Sequence, residues 1–290
     1  MRYGSGMVLV VLAGILWSSQ GLIFRQIDSA GTWAVLFWRS VGMVPVLLAF
    51  LIWRAGGSPL PAIRAVGLAG VLGGIGLVGA FGGAIYSIQA TTIANAVFLF
   101  AASPFLTALI GWAVLGERVR PETWAAMGVA MAGIFVMVRD GLEGGALAGN
   151  VAALLSALGF AVFTVSLRWR GLADTLPSVL LGGIFSIAVG ALVAGQLGQT
   201  LAVPLPDALW SMAMGAGTLS GGMVLYTLGS RVVPAAELAL LSNIEVMLAP
   251  LWVWLFLNET ASAATFMGGA ILLVAVTMNG LSGARRAVTA

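Results

Sequence analysis

Two stretches of this chain match each other: Pro104-Phe-Leu-Thr-Ala-Leu-Ile-Gly-Trp-Ala-Val-Leu-Gly-Glu117 and Glu245-Val-Met-Leu-Ala-Pro-Leu-Trp-Val-Trp-Leu-Phe-Leu-Asn-Glu259. Each has the composition of an apolar helix that ends in an acidic residue, after glycine in the first and after asparagine in the second. Half of the chain, to a close approximation, separates the two final glutamates. Apolar helices always align to some degree, so the matching acidic ends are the informative part. The match predicts two repeats, residues 1–143 and 144–290.

Further apolar segments lie on both sides of these stretches. A helix that crosses a bilayer needs about 20 mostly apolar residues, and ten segments of the chain are near that length. The predicted spans are residues 5–24, 33–53, 65–87, 93–115, 122–138, 147–167, 177–197, 208–228, 234–256 and 262–281. Five spans per half is an odd number, so the halves insert in opposite orientation, as in many secondary transporters. The predicted fold is therefore an all-α integral membrane protein, with ten transmembrane helices in two inverted five-helix repeats around a central cavity.

The amino-acid composition excludes several classes of protein. Hydrophobic residues make up 60% of the chain and charged residues 8%, against roughly 25% charged in soluble domains, and the mean hydropathy is +1.07. Too few polar side chains remain to cover a soluble fold, a nucleic-acid binder or a disordered chain. Cysteine and histidine are absent, which removes thiolate and imidazole metal ligands and the histidine of a catalytic triad. We expect no enzyme activity, no cofactor, no metal and no nucleic-acid partner.

The arginines predict the orientation of the chain. With the N-terminus in the cytoplasm, ten arginines fall on the cytoplasmic side, whereas Arg25 and Arg139 fall on the other. The ten are Arg2, Arg54, Arg64, Arg118, Arg120, Arg168, Arg170, Arg231, Arg285 and Arg286. This distribution follows the positive-inside rule and predicts that both termini are cytoplasmic. The first span carries little basic charge and no evident small-residue cleavage site, which favours a retained span over a signal peptide.

Three ionisable residues lie within predicted spans, where a charge is costly and marks a candidate functional site. Glu245, about midway along span 9, is a candidate to contact a substrate ammonium or carry a proton; a bond to Asn95 or Arg39 is the structural alternative. Glu237 lies in the first turn or so of span 9, where the helix dipole alone favours an acid. Arg39 in span 2 is a candidate to bind a substrate carboxylate, with snorkelling or pairing with Asp28 as alternatives.

Uncharged side chains extend this predicted pocket. Asn95 and Ser103 are eight residues apart on span 4 and so share a face. In the alignment that places Glu117 on Glu259, they correspond to Glu237 and Glu245, which predicts a polar lining in both halves. The predicted substrate-binding residues are Trp17, Ser18, Gln20, Arg39, Tyr86, Asn95, Phe98, Ser103, Glu237, Leu241 and Glu245.

The aromatic residues have two interpretations. Trp17 and Phe98 lie deep in their spans and are candidates to wall a pocket for an apolar side chain, but helix packing or lipid contact explains each as well. Tyr86 is a candidate to hydrogen-bond a ligand, or it belongs to the aromatic belt at the membrane interface.

Two features at or within span ends have alternative roles. Glu117 and Glu259 end spans 4 and 9, where a solvated cap or an inter-helix pair is expected. Pro104 and Pro250 lie within the same two spans and act either as hinges for alternating access or as static kinks.

These features together resemble the drug/metabolite transporter superfamily, specifically its EamA-type exporters. The shared features are ten spans in two halves, a proline twelve residues before the Gly116-Glu117 end of span 4, and the Ser242-Asn243-Ile244-Glu245 start and Asn258-Glu259 end in the second half. Span 1, with Leu16-Trp17-Ser18-Ser19 and then Gly21-Leu22-Ile23 and Arg25, looks like the bacterial aromatic amino-acid exporters of that superfamily. Val246 and Asn258 depart from the proline and glycine usual in relatives, which weakens the symmetry of the halves.

The resemblance implies an exporter of amino acids or related metabolites in the bacterial inner membrane. It also implies a cavity lined by spans 1 to 4 and 6 to 9, with spans 5 and 10 at the periphery for packing or dimerisation. The expected mechanism is alternating access by a secondary transporter of small amphipathic metabolites, foremost neutral and aromatic amino acids. Its partners are the small-molecule substrate and the lipid bilayer; proton coupling and a monomeric or homodimeric state stay open.

Other functions agree less well with the sequence. A carrier of drugs or other metabolites is the main alternative. An intramembrane lipid-modifying enzyme is a remote one, because the acidic residues are scattered and form no Asp-x-x-Asp pair. A structural subunit would not need a polar centre in both halves. The chain has no P-loop, and its glycine runs at 67–83 and 215–222 lie inside spans, where they favour helix packing.

Overall fold

The computed structural model describes residues 3–143, 146–172, 174–229, 232–233, 241 and 244–289, and all regular structure in those ranges is helical. The α-helices are α1 Tyr3–Ser18, α2 Gln20–Phe24, α3 Thr32–Ala55, α4 Leu60–Ala65, α5 Gly67–Ala90, α6 Ile93–Phe100, α7 Ser103–Leu115, α8 Pro121–Glu143, α9 Leu147–Trp169, α10 Leu176–Gln196, α11 Leu205–Ala213, α12 Gly221–Gly229, α13 Ile244–Leu257 and α14 Ala263–Thr289; a π-helix, Met214–Ser220, joins α11 to α12.

Seven helical segments are long and apolar enough to cross a membrane. They are Tyr3–Phe24, Thr32–Ala55, Gly67–Ala90, Ile93–Leu115, Leu147–Trp169, Leu176–Gln196 and Leu205–Gly229. Three shorter apolar helices, Pro121–Met137, Ile244–Leu257 and Ala263–Asn279, fall on predicted spans 5, 9 and 10. The all-helical membrane class is therefore confirmed, whereas the count of ten spans and the inverted repeat stay predictions.

Span 4 is interrupted in its middle. Helix α6 ends at Phe100, and α7 begins at Ser103 with Pro104 in its first turn. Proline lacks an N–H, and its ring clashes with the carbonyl four residues earlier, here that of Phe100, so the helix cannot continue unchanged. Pro250, by contrast, lies inside the unbroken helix α13. The two prolines that the sequence pairs therefore have different local effects.

Close contact between α5 and α9 joins the first half of the chain to the second. A Cβ on Gly76 would lie 2.7 Å from the carbonyl oxygen of Gly159, and one on Gly159 would meet the same turn of α5 in return. Ser156 adds a hydrogen bond from its Oγ to the Ala80 carbonyl, at 2.6 Å. Small residues permit this approach, which supplies the van der Waals contact that holds helices together in lipid.

Replacing Gly76 with leucine is expected to destabilise the fold severely. Its Cβ would be 2.7 Å from Gly159 O and 2.9 Å from Phe163 N, and backbone atoms cannot move aside as a flexible side chain can. We expect a loss of about 3 kcal/mol or more, the upper range for overpacking, seen as a lower melting temperature and aggregation in detergent. Gly79 is the matched control, since a Cβ there meets no atom within 4 Å. Equal stability of the Gly76→Leu and Gly79→Leu proteins would contradict this role for the α5–α9 contact.

Helices α8 and α14, on predicted spans 5 and 10, pack against each other. Gly133 and Gly268 face each other so closely that a Cβ on either would press on the other's carbonyl. At one end, Asn279 accepts hydrogen bonds from Arg120 at 3.2 Å and from Thr123 at 2.7 Å. Both helices also expose large apolar side chains, among them Phe135 and Met267. This packing agrees with the expected pairing of spans 5 and 10.

Candidate functional site

Trp17 connects α1 to the π-helix and to α12. Its Nε1 donates a hydrogen bond to the Leu219 carbonyl at 3.5 Å, and its ring packs where Gly222 has no side chain. The Tyr226 ring lies 5.6 Å away between centroids, tilted by 41°. A π-helical turn displaces the regular i→i−4 bonds and often occurs at functional sites. Trp17 thus belongs to an aromatic pair beside an irregular turn of span 8.

Ser18 connects α1 to α13 on its other side. The side chain is buried, and its Oγ accepts a hydrogen bond from Trp252 Nε1 at 2.9 Å while donating to the Ile15 carbonyl at 2.8 Å. One turn earlier, Gly14 lies against the backbone of Ile244 and Glu245. Helix α1 therefore lies between α12 and α13, with Trp17 turned to one and Ser18 to the other.

Arg39 is a buried cation without a protein partner. Its side chain lies on α3, the residue is 5% exposed, and the guanidinium carbon is 4.5 Å from the centroid of the Phe81 ring. Its Nε and Nη2 atoms have no hydrogen-bond partner. The described residues thus show neither of the structural alternatives, because the head group is not at the interface and forms no ion pair with Asp28. A bare guanidinium at this depth is costly, and the stacked aromatic ring compensates only in part.

Glu245 is the second charged residue without a described partner. It lies in the first turn of α13 and is half-buried. Neither Asn95 nor Arg39, the two partners considered from the sequence, bonds to it among the residues that the structure describes. Leu241, one turn earlier, packs against Val10 and Val233. Glu237 lies outside the described residues.

The polar residues of span 4 are used in helix packing. Asn95 is buried and donates from Nδ2 to Oδ1 of Asn150 on α9 and to Oγ1 of Thr91. Phe98 packs against α14 where Gly269 leaves room. Ser103 is also buried, at the start of α7. The structure therefore separates Asn95 and Phe98 from the residues around α1, and Asn150 is the partner that sequence reasoning missed.

Two further predicted residues lie elsewhere. Tyr86 is 43% exposed and shares a face of α5 with Leu68, Leu72 and Ile75, all exposed and apolar. Such a face contacts lipid, which agrees with the aromatic-belt alternative. Gln20 is half-buried at the start of α2.

The described grooves do not coincide with the charged residues. One, of about 360 Å³, is lined by residues 29, 31 and 34 and by residues 199–200 and 202–204. A second, of about 340 Å³, lies between the first turns of α1 and Leu241. Neither is lined by Arg39 or Glu245.

Asp207 is a buried charge that the sequence did not single out. Its Oδ2 accepts hydrogen bonds from the Ser29 N–H at 3.0 Å, the Ser29 hydroxyl at 2.9 Å and the Ala30 N–H at 2.9 Å. Its Oδ1 accepts a longer one from the Asp28 N–H at 3.3 Å. Asp207 therefore holds the loop before α3 against α11, linking the two halves. In the sequence it looks like an ordinary acid in a first helical turn, and no local signal shows that its partners come from the opposite half of the chain.

Glu117 and Glu259 both form inter-helix ion pairs, one of the two roles expected for them. Arg168 on α9 donates to Glu117 at 2.6 Å, and Arg25 after α2 donates to Glu259 at 2.8 Å. A third pair joins Arg54 to Asp174. All three connect residues of the first half to residues of the second.

Comparison with known proteins identifies this arrangement as that of a transporter. Residues 4–139 match the model of the EamA-like transporter family. The chain is 27% identical over 276 residues to the pseudopaline exporter CntI of Pseudomonas aeruginosa, covering 93% of this chain and 94% of the exporter. It is 25% identical to human solute carrier family 35 member G1, covering 94% and 77% of the two chains. It is 26% identical to the riboflavin transporter of Rhizobium johnstonii, covering 93% and 89%.

A solved structure supports the fold. A protein of known crystal structure superimposes with a TM-score of 0.66 over 95% of this chain and 98% of its own length, at 21% sequence identity. That likeness concerns the fold alone. The family match over the first half and the transporter relatives over nearly the full length together support assignment of this chain to the EamA family of the drug/metabolite transporter superfamily.

Proposed function

We propose that this protein is a secondary transporter of the bacterial inner membrane that exports small amphipathic metabolites by alternating access. Neutral and aromatic amino acids are the proposed substrates. In this proposal ten spans form two inverted halves, both termini are cytoplasmic, and the substrate binds between the halves. The family match, the transporter relatives and the apolar helices support the transport role; the residues discussed next support the substrate class.

The observation that carries the substrate proposal is the presence of two opposite charges without described protein partners. Arg39 is buried with two unpaired guanidinium nitrogens, and Glu245 is half-buried in the first turn of α13. Removing a charge from water costs several kcal/mol unless another charge or hydrogen bonds compensate it. A ligand that carries both a carboxylate and an ammonium supplies the missing partner of each. Charged residues inside membrane spans are typical of substrate and proton pathways.

Aromatic rings near these charges suit an apolar substrate side chain. Phe81 lies under the Arg39 guanidinium, and the π-helix connects the two regions because Gly215 touches the Arg39 backbone while Leu219 binds Trp17. Trp17 and Tyr226 stack at the far end of that turn. These rings provide the broad apolar contact that an aromatic amino acid requires.

The substrate class is tested by counterflow into liposomes that contain the purified protein. The liposomes are preloaded with one unlabelled amino acid, and entry of labelled phenylalanine, methionine, alanine or glutamate is followed. We expect saturable entry of the neutral amino acids, strongest for phenylalanine, and little entry of glutamate. No saturable entry of any of the four by monodisperse protein would refute the amino-acid proposal.

Larger metabolites are the second candidate class, and the relatives favour it. Proteins 27% and 26% identical to this chain are named for pseudopaline and riboflavin. Displacement of phenylalanine counterflow by riboflavin, or riboflavin counterflow in its place, would move the substrate class to such compounds.

Replacing Glu245 with glutamine is expected to separate proton coupling from binding. Glutamine keeps the shape and the hydrogen-bonding oxygen of the side chain but cannot take up and release a proton. If Glu245 carries the coupled proton, uptake driven by a pH gradient falls to background while counterflow, which needs no gradient, persists. Glu122→Gln on α8 is the control, because that acid is exposed at the start of a different helix. Unchanged gradient-driven uptake by Glu245→Gln would remove Glu245 from the proton pathway.

A further inference from the structure

Two helices of this protein end in the same local geometry. The Glu117 N–H bonds to the Gly111 carbonyl at 3.3 Å, and the Glu259 N–H bonds to the Val253 carbonyl at 3.2 Å, both six residues back. The residue before each glutamate has a positive φ, 69° at Gly116 and 53° at Asn258. This is the capping turn that commonly ends helices, in which asparagine can replace glycine. The turn directs both carboxylates in the same way relative to the helices they follow.

The arginines that bind these glutamates are also matched. The separation of Arg25 and Arg168 along the chain equals that of Glu117 and Glu259 to within a single position. The contacts are crossed, because Arg25 of the first half binds Glu259 of the second and Arg168 of the second half binds Glu117 of the first. Exchanging the halves therefore converts one pair into the other.

The two pairs lie at opposite ends of the helix bundle. Glu259 accepts a hydrogen bond from the N–H of Ile93 at 2.8 Å, at the start of the span Ile93–Leu115. Glu117 follows the other end of that span by two residues. Its 23 residues correspond to about 35 Å at 1.5 Å per residue, the thickness of a bilayer core. The pairs therefore lie at opposite membrane faces.

Their surroundings differ in a way that affects strength. Arg25 also donates to the carbonyls of Ile88 at 3.1 Å and Thr91 at 3.5 Å, and its pair is the more buried, with 30% and 18% of the two side chains exposed. The Arg168–Glu117 pair has no such additional acceptor among the described residues and is 47% and 35% exposed. Exposed pairs are weak, so each can open during a transport cycle.

We propose that these pairs are two equivalent latches, the Arg25 latch (Arg25 and Glu259) and the Arg168 latch (Arg168 and Glu117), which close opposite ends of the transport pathway and open in alternation. This inference rests on the alternating-access mechanism proposed above. It makes four residues outside the substrate pocket the positioning residues that set which face the pocket opens to. The Arg25 latch, with its additional hydrogen bonds, is the harder of the two to open.

The test uses a single thiol in the middle of span 4. The chain contains no cysteine, so Ser103→Cys, buried about halfway along Ile93–Leu115, introduces the sole reporter. A membrane-impermeant maleimide is applied to right-side-out and to inverted vesicles, and the labelling rate is measured from each face. No substrate is needed.

Opposite responses to the two charge reversals are expected. Arg25→Glu should raise labelling from the face that holds Arg25 by about two- to fivefold, the range for a partly exposed ion pair, and lower it from the other face. Arg168→Glu should do the reverse, and the double change Arg25→Glu with Glu259→Arg should restore the original rates. Asp28→Arg and Arg118→Glu are controls, because they reverse exposed charges near the same faces that form no ion pair among the described residues. If Arg25→Glu does not fold, the neutral Glu259→Gln replaces it.

The outcomes separate the latches from the proposed function. Unchanged labelling, or shifts in the same direction for both reversals, would overturn the latches even if counterflow succeeds. Reciprocal labelling together with failed counterflow would support the latches and remove the proposed substrates.

Discussion

Replacing Arg39 with lysine is expected to lower transport of carboxylate substrates by about tenfold or more, and replacing it with glutamine by about 100-fold, the range seen when one partner of a buried charge pair is removed. Lysine keeps the charge but not the planar fork that binds both carboxylate oxygens, nor the flat contact with an aromatic ring. In this structure the guanidinium lies 4.5 Å from the Phe81 centroid with two nitrogens unpaired. Counterflow of phenylalanine, measured as the initial rate over a range of concentrations, checks the prediction.

A structural role for Arg39 would give a different result. Phenylalaninol has the apolar side chain and the amine of phenylalanine but no carboxylate, so its competition with labelled substrate should be weak in the native protein and unaffected by Arg39→Gln. The melting temperature should also change little, because no described residue loses a hydrogen bond. Arg39→Lys with native transport rates would exclude the carboxylate clamp.

Replacing Asp207 with alanine is expected to cause the largest loss of stability among single polar changes proposed here. The change leaves the N–H groups of Ser29 and Ala30 without their acceptor, and bonds to a charged group contribute about 1.5–3 kcal/mol. We expect a loss of about 3 kcal/mol, or a melting temperature lower by about 6–12 °C for a protein of this size. Thermal melting of the detergent-purified protein, followed by intrinsic tryptophan fluorescence, provides the measurement.

Asp28 is the matched control for this change. It lies in the same loop and is exposed, and its carboxylate makes no hydrogen bond among the described residues. Asp28→Ala should melt within about 1 °C of the native protein, since exposed substitutions usually change stability by less than about 0.5 kcal/mol. If Asp207→Ala and Asp28→Ala melt at the same temperature, the network around Asp207 does not stabilise the fold.

The positions of the helices could be predicted because hydropathy is a local property of the chain. Each of the ten predicted segments coincides with an apolar helix or, for span 9, with its described part, residues 244–257, because about 20 apolar residues in lipid must satisfy their own backbone hydrogen bonds. The interruption at Phe100 was also visible in part, since Pro104 lies four residues later and proline acts on its own turn. The π-helix at residues 214–220 had no such signal beyond a glycine-rich run.

The partners of polar side chains could not be predicted in the same way. Asn95 was expected to line a pocket, but it bonds to Asn150, and the Arg39 side chain has no partner where Asp28 was considered. Glu117 and Glu259 were expected to cap a helix or pair between helices, and the structure selects the pair. A polar residue in a span must be satisfied by something, yet its sequence neighbours do not reveal by what.

The sequence alone was sufficient for the membrane class, the approximate helix boundaries and the charged residues worth testing, because each depends on residues within one or two helical turns. Only the tertiary structure showed that Arg25 meets Glu259, that Asp207 holds residues 28–30, and that Trp17 lies against the π-helix. Those contacts join residues 178 to 234 positions apart. Their existence depends on which helix faces pack together, and in lipid that choice follows from the fit of small side chains across an interface rather than from hydropathy.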